Sequence, residues 1–234
     1  MTAYTSLKYS KYYLSLLLEH WFASKTSYSQ HGEDSLVESI MASDKLHSFI
    51  DIGANDGVLF SNTYKFAKFG ARGLCIEPSR KCFRKLKLNH LFHPKVKCLQ
   101  GAISEQDGFL YLQEDGYEQV LSKVSSNNAP GFYEVKAFSM KSIFNKFPQF
   151  SKVDLISIDV EGHEENVLQG CGQIPLNTKI IIIEIDKSNM VDTLKMKCLS
   201  NHVAKYSNGV NLILIHKDFK FQSVPKLPLG FYEC

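Results

Sequence analysis

Close cysteine pairs are missing from this chain of 234 residues. Its six cysteines (Cys75, Cys82, Cys98, Cys171, Cys198 and Cys234) contain no C-x-x-C. That spacing excludes a zinc ribbon and a disulfide-stapled scaffold. Cys75 and Cys98 fall in apolar runs, where a thiol acts as a small buried hydrophobe. The pattern reads as a reduced, intracellular chain, and cytoplasmic placement is the expectation. Long hydrophobic runs are missing too. Tyr12–Leu18 is too short to span a bilayer, and Glu19 and His20 interrupt it. No small-residue cleavage site follows it. An excess of one charge is also absent: Lys+Arg 27 against Asp+Glu 24 leaves +3. No nucleic-acid partner is expected from such a balance. Lys81, Arg84, Lys85 and Lys87, with Arg80 beside them, read as the solvated face of a helix rather than a phosphate-binding patch. No internal repeat or low-complexity tract appears.

What is present suffices for one sizeable core, since 44% of the residues are hydrophobic. Leu7–Phe22 reads as an amphipathic helix, with a membrane-surface role as the lesser reading. A helical pattern runs to Met41. Strand patterns then alternate with helical ones: strand His47–Ile52, helix Val58–Phe69, strand Arg72–Glu77, a helix capped by Ser79 and running to about Leu91, and strand Val96–Ile103. Gly108–Phe138 changes to short alternating runs split by turn residues, which predicts antiparallel excursions or a flap. A short helix over Ser139–Phe147 precedes the buried strand Val153–Asp159 and a helix His163–Gln169. Lys179–Glu184 carries four consecutive isoleucines, the mark of a strand covered on both faces. A helix Asn189–Leu199 follows. A hairpin then turns at Asn208-Gly209, and an extended tail runs from Asp218. Alternating strands and helices predict an α/β fold with a mostly parallel sheet, an antiparallel C-terminal hairpin and N-terminal helices. The expected organisation is an N-terminal helical extension and cap over 1–46, a main domain over 47–217 and a tail over 218–234.

The most informative segment is Phe49-Ile-Asp-Ile-Gly-Ala-Asn-Asp-Gly57, an apolar strand that ends in an acid and passes through a glycine turn into a helical pattern. Asp51 is placed to accept hydrogen bonds from a cationic amino group. Gly53 lets backbone approach a ligand closely, and Gly57 can take a positive φ. A second strand, Gly73-Leu-Cys-Ile-Glu-Pro78, ends in Glu77, 26 positions after Asp51, where an acid can hold a ribose diol. The pyrophosphate fingerprint G-x-G-x-x-G is absent: positions 53, 55 and 58 are Gly, Asn and Val. A cofactor with a nucleoside and an amino-acid tail but no phosphate fits better, and S-adenosylmethionine is that molecule. Asp51, Glu77, Asp159 and Glu184 all fall at strand ends, where open α/β sheets bind ligands.

The chain resembles the FkbM family of S-adenosylmethionine-dependent methyltransferases. The matching segments are Tyr28-Ser-Gln-His-Gly-Glu-Asp34, Phe49 to Gly57 with Ser61-Asn62-Thr63, Gly73 to Pro78, Ala102-Ile-Ser104, Ile158-Asp-Val-Glu-Gly-His-Glu164 with Val167-Leu-Gln-Gly170, and Ile183-Glu184. They run in family order over roughly residues 28–217. The resemblance implies a Rossmann-like class I methyltransferase fold. By motif position it implies that Asp51, Gly53, Ala54, Asn55 and Asp56 surround the methionine part. Glu77, followed by Pro78, would hold the ribose, and Ser104 would lie near the adenine. Ser139-Met140 and Ser125-Ser126-Asn127 depart from the family pattern in the middle stretch, which bears on the acceptor rather than the cofactor.

Asp159, Glu161 and His163 form the expected reaction centre. Alternation at a strand end puts Asp159 and Glu161 on one side. A hydroxyl does not ionise near neutral pH, so O-methylation gains from a base or a metal. Asp159 and Glu161 would hold a metal, if one is used, and oxygen ligation suits magnesium or calcium better than zinc. The bland alternative has Glu161 and His163 capping the helix, with Glu164 and Glu165 as exposed first-turn acids. Gln30, His31, Glu33 and Asp34 read either as polar groups folded over the site or as a helix start. The remaining histidines, His90 and His93 among them, read as surface or packing residues. The expected activity is methylation of a hydroxyl on a sugar or other small metabolite. A nicotinamide-dependent oxidoreductase and a non-catalytic cofactor-binding protein are the alternatives.

Overall fold

The computed structural model describes residues 26–42, 44–115, 121–125, 130–172, 176–185 and 193–234. The expected helix Leu7–Phe22 and the first part of the one at Asn189–Leu199 lie outside them. Helix α1 spans Glu33–Met41 and precedes strand β1 (Ser48–Ile52). Then come α2 (Tyr64–Lys68), β2 (Arg72–Glu77), α3 (Arg80–Asn89) and β3 (Val96–Gln100). A set of short strands follows: β4 (Ala102–Ile103), β5 (Gly108–Asp115), β6 (Leu121–Ser125) and β7 (Tyr133–Phe138). The chain continues through α4 (Met140–Lys146), β8 (Val153–Ile158), α5 (Glu164–Gln169), β9 (Thr178–Glu184), β10 (His202–Ser207), β11 (Asn211–His216) and β12 (Tyr232–Glu233).

The main sheet has eight strands in the order β12-β10-β11-β9-β8-β1-β2-β3. β9, β8, β1, β2 and β3 are mutually parallel, and β11 runs antiparallel between β9 and β10. The mostly parallel sheet with its C-terminal hairpin is therefore as expected. β4-β7-β5-β6 form a second sheet, with β5 antiparallel to both its neighbours.

Burial on both faces explains why the central strands are mostly apolar, and alternation divides their side chains between two core clusters. Ile50, Ile52, Ile181 and Ile183 face one core cluster with Met140 and Ile143 of α4 and Val167 and Leu168 of α5. Phe49, Cys75, Ile180 and Ile182 face the other, with Leu36, Val37 and Ile40 of α1, Phe66 of α2 and Leu86 of α3. All four isoleucines of 180–183 are fully buried, each contributing about 1.5–3 kcal/mol of transfer free energy. The six cysteines are free thiols.

Three local expectations change. The helix expected over Val58–Phe69 forms only from Tyr64. Asp56 Oδ1 accepts the amides of Val58 and Leu59, each at 2.9 Å, and Ser61 Oγ accepts those of Thr63 and Tyr64. These side chains take the amides that a helix would need, and Phe60 sits at φ 57° in a bridge to Ser29. The strand expected over Val96–Ile103 breaks at Gly101, where the chain leaves the main sheet after β3 and β4 joins β7. A Cβ at Gly101 would lie 2.6 Å from the Phe138 ring and 2.9 Å from the Lys136 carbonyl. The tail is also more than an extended segment. Its β12 pairs with β10, and Phe231 is buried in the cluster that holds α1.

Candidate active site

Sheet register brings the acids to one rim. Ile52 is level with Ile76 of β2 and with Ile158 of β8, which is level with Ile183 of β9. One residue beyond those rungs come Gly53, Glu77, Asp159 and Glu184. They line a single cavity together with Asp51, Ala54, Asn55, Pro78, Glu161 and His163. Gln30, Asn62 and Ser157 also line it.

The glycine turn is held by both neighbouring strands. The amides of Gly53 and Ala54 donate to the Ile76 carbonyl at 3.0 and 3.1 Å. Gly53 sits at φ +84°, and a Cβ there would lie 1.7 Å from the Asp159 carbonyl oxygen. The glycine is thus required by the approach of β8, where the sequence suggested approach of a ligand. Gly57 takes the positive φ expected of it, 76°.

The two Glu77 oxygens accept from the Asn55 amide (2.9 Å) and the Ser79 amide (2.7 Å). A carboxylate has further lone pairs for a ligand. Asp51 accepts from Thr63 Oγ1 at 2.6 Å. Burial pushes the Asp51 carboxyl up to about 6, with the Thr63 bond acting against it. Asn62 Nδ2 donates to Ser157 Oγ at 3.1 Å, linking the loop before α2 to β8.

Asp159, Glu161 and Glu184 each offer an oxygen within 4.8 Å of the others. Burial, then the charges of Glu184 and Glu161, raise the Asp159 carboxyl well above the usual range. Although Glu161 is exposed, partial desolvation and then the charge of Glu184 raise it to about 7. Glu161 stands at φ 56°. Glu164 takes the local capping role instead, its Oε1 accepting the amides of Val160 and Gly162 at 3.1 Å each. Glu164 is therefore a half-buried structural acid, unlike Glu165, which is exposed. His163 makes no side-chain cap bond. Its Nε2 lies 3.0 Å from Ser104 Oγ, and burial lowers its pKa.

Two residues expected at the cofactor are not among those lining the cavity. Asp56 is buried and closes its own turn. Ser104 reaches His163 rather than the cavity lining. Glu33 and Asp34 are also structural. Glu33 accepts from Asn208 and Asn211 of the closing hairpin, and Asp34 accepts from Ser27, Ser29 and the Tyr28 amide. Only Gln30 of that motif lines the cavity; His31 is exposed. His90 and His93 pack against Tyr64, as packing residues should. The sequence reading put Glu184 at the ligand-binding rim without giving it a role, and it gave Thr63 none. The strand-end position of Glu184 was a usable signal; the Thr63 bond depends on an irregular loop that periodicity does not reveal.

A mostly parallel α/β sheet with an acid-lined cavity at its carboxyl rim is a Rossmann-like fold with a cavity where such sheets bind ligands. The methyltransferase FkbM domain matches residues 51–201. The chain belongs to that family of S-adenosylmethionine-dependent methyltransferases, which sets aside the oxidoreductase alternative. Among solved structures, a methyltransferase FkbM from Methylobacillus flagellatus KT is 12% identical, with TM-score 0.47 over 74% of this chain and 44% of its own. This chain thus spans less than half of that one. A TehB-like SAM-dependent methyltransferase from Corynebacterium glutamicum is 12% identical, with TM-score 0.47 over 92% of this chain and 100% of its own. No curated protein matches the chain. No helix among the described residues is long and apolar enough to cross a membrane.

Proposed function

We propose that this protein moves the S-adenosylmethionine methyl group to a hydroxyl on a sugar or another small polyol-like metabolite, in the cytoplasm. The carrying observation is the row of register-aligned carboxylates around the turn at Gly53. In this reading Asp51 meets the cationic amino group of the methionine part and Glu77 the ribose hydroxyls. Gly53, Ala54, Asn55 and Pro78 shape the walls. The acceptor oxygen attacks the sulfonium methyl in line: the O–C bond forms, the C–S bond breaks, and its electron pair stays on sulfur. The acceptor's proton passes to Asp159 or Glu161. Carboxyls raised toward neutrality suit that task, because a base works best when its pKa lies near the working pH. His163, kept neutral by burial, orients the acceptor beside them. Much of the rate comes from holding both reactants close and aligned.

A second reading gives the same acids a divalent cation such as magnesium. Asp159, Glu161 and Glu184 supply the three-oxygen donor set that such an ion favours. When bound, the ion would stabilise the alkoxide. The division into an N-terminal extension (1–46), a methyltransferase domain (47–217) and a tail (218–234) belongs to this proposal, as does the absence of a nucleic-acid partner.

The test is methyl transfer from labelled S-adenosylmethionine across a polyol panel. Asp159→Asn and Glu161→Gln each lower kcat by about a hundredfold while cofactor affinity stays within a few-fold. Unchanged turnover would return both residues to a structural role. No turnover by the intact protein on any acceptor, with tight cofactor binding, would favour the non-catalytic alternative.

A further inference from the structure

Residues 57–104 contain ten Lys and Arg and a single acid, Glu77, although the whole chain carries only +3. Glu77 is buried at the cavity. Half of those cations lie on α3, which has no acid at all. α3 buries Cys82, Leu86 and Asn89 and turns its other faces outward. Residues three and four apart share a helix face. One outward ridge therefore runs Arg80, Arg84, Lys87; its neighbour runs Lys81, Lys85, Leu88. Leu91 and Phe92 follow in the turn just after the helix, so the cationic faces lead to apolar tips.

Those tips are strongly exposed: Leu88 56%, Leu91 65% and Phe92 76%. Phe69, 76% exposed, lies on the adjoining turn. Two contacts join that turn to the loop after α3. Lys95 Nζ donates to the Gly70 carbonyl at 3.2 Å, and the Tyr64 and His93 rings meet at 5.6 Å. Four large apolar side chains are thus gathered beside a cationic helix face. A soluble domain gains nothing from such a cluster unless something covers it.

We propose that this edge docks on an anionic phospholipid surface. Leu88, Leu91, Phe92 and Phe69 enter the headgroup–acyl boundary, and Arg80, Arg84, Lys85 and Lys87 meet the lipid phosphates and carboxylates. This combination of apolar tips and flanking cations is the chemistry of interfacial binding. A nucleic acid would satisfy the cations but leave the two leucines in water. The surface does not depend on the acceptor proposed above. It starts at the cavity, since α3 begins two residues after Pro78, and its tips lie about 15 Å away along the helix.

The test is co-sedimentation of the full chain with large unilamellar vesicles of phosphatidylcholine, with and without about one-fifth phosphatidylserine. Binding is expected to the anionic vesicles only and to fall with added salt. Arg84→Ala and Lys87→Ala each reduce partitioning by about fivefold. Leu91→Glu combined with Phe92→Glu abolishes it at an unchanged Tm, because both side chains are exposed. Equal binding to neutral vesicles, no binding to either, or wild-type binding by the variants would overturn the proposal. So would binding to a single-stranded RNA that displaces the vesicles and survives Leu91→Glu with Phe92→Glu.

Discussion

Thr63→Val removes a hydrogen bond that tunes the carboxylate proposed to meet the cofactor's amino group, along with the weaker Thr63–Ser61 hydroxyl contact at 3.4 Å. Valine keeps the shape of threonine and removes the hydroxyl that Asp51 accepts from at 2.6 Å. Asp51 is only 5% exposed, so water offers little replacement. A hydrogen bond to a charged group is worth about 1.5–3 kcal/mol, and one pKa unit is about 1.4 kcal/mol. The Asp51 carboxyl, already near 6 through burial, should climb by about one to two units. A cationic amino group binds the ionised form. Near neutral pH the variant should bind S-adenosylmethionine about two- to tenfold more weakly, and the gap should close by about pH 9. Calorimetric titrations across that range measure it, and Thr63→Ser should restore the wild-type profile. Parallel affinities at every pH would refute the link between Thr63, Asp51 and the cofactor.

Gly53→Ala should destabilise the protein by at least about 2 kcal/mol in chemical denaturation, since the residue sits at φ +84° with the Asp159 carbonyl where the new methyl must go; a loss below about 0.5 kcal/mol would show slack in the turn. The raised carboxyls should contribute thermal stability that is lost as pH rises from about 4 to about 7, against the opposite contribution of His90, His93, His163 and His202, whose pKa values burial lowers. The folded pKa values of Asp51 (about 6) and Glu161 (about 7) exceed those of the unfolded chain, so over that window the native state holds protons that the unfolded state has released. Asp159, also raised, extends that contribution upward, so the Tm difference, wild type minus Asp159→Asn, should fall as pH rises through the window; a difference that stays constant would contradict the raised carboxyls.

The central strands were legible because both their faces are buried, so apolar runs such as Ile180–Ile183 need no polar alternation. Asn208-Gly209 marked the hairpin, and Ser79 marked the start of α3 through its bond to the Cys82 amide. The stretch Val58–Thr63 was not legible as a loop. Its apolar residues keep helical spacing, and the decision lies with Asp56 and Ser61, whose oxygens capture the amides. Gly53 was legible as special for a different reason than the one that holds. Its neighbour is the Asp159 carbonyl, a contact 106 positions away in the chain. Asp56 and Ser104 make local contacts that motif position does not reveal. Both stand at their family places, yet one carboxylate closes its own turn and one hydroxyl faces His163.

Calorimetric titration of S-adenosylmethionine into the wild-type chain and into the double variant Asp51→Asn with Glu77→Gln tests the acidic rim most directly. Both substitutions keep side-chain size and remove charge. The rim account predicts a loss of affinity of at least about a hundredfold, with the fold retained and a modest fall in Tm where Glu77→Gln gives up an acceptor to the Asn55 or Ser79 amide. Affinity within a few-fold of the wild type, with the fold intact, would contradict it.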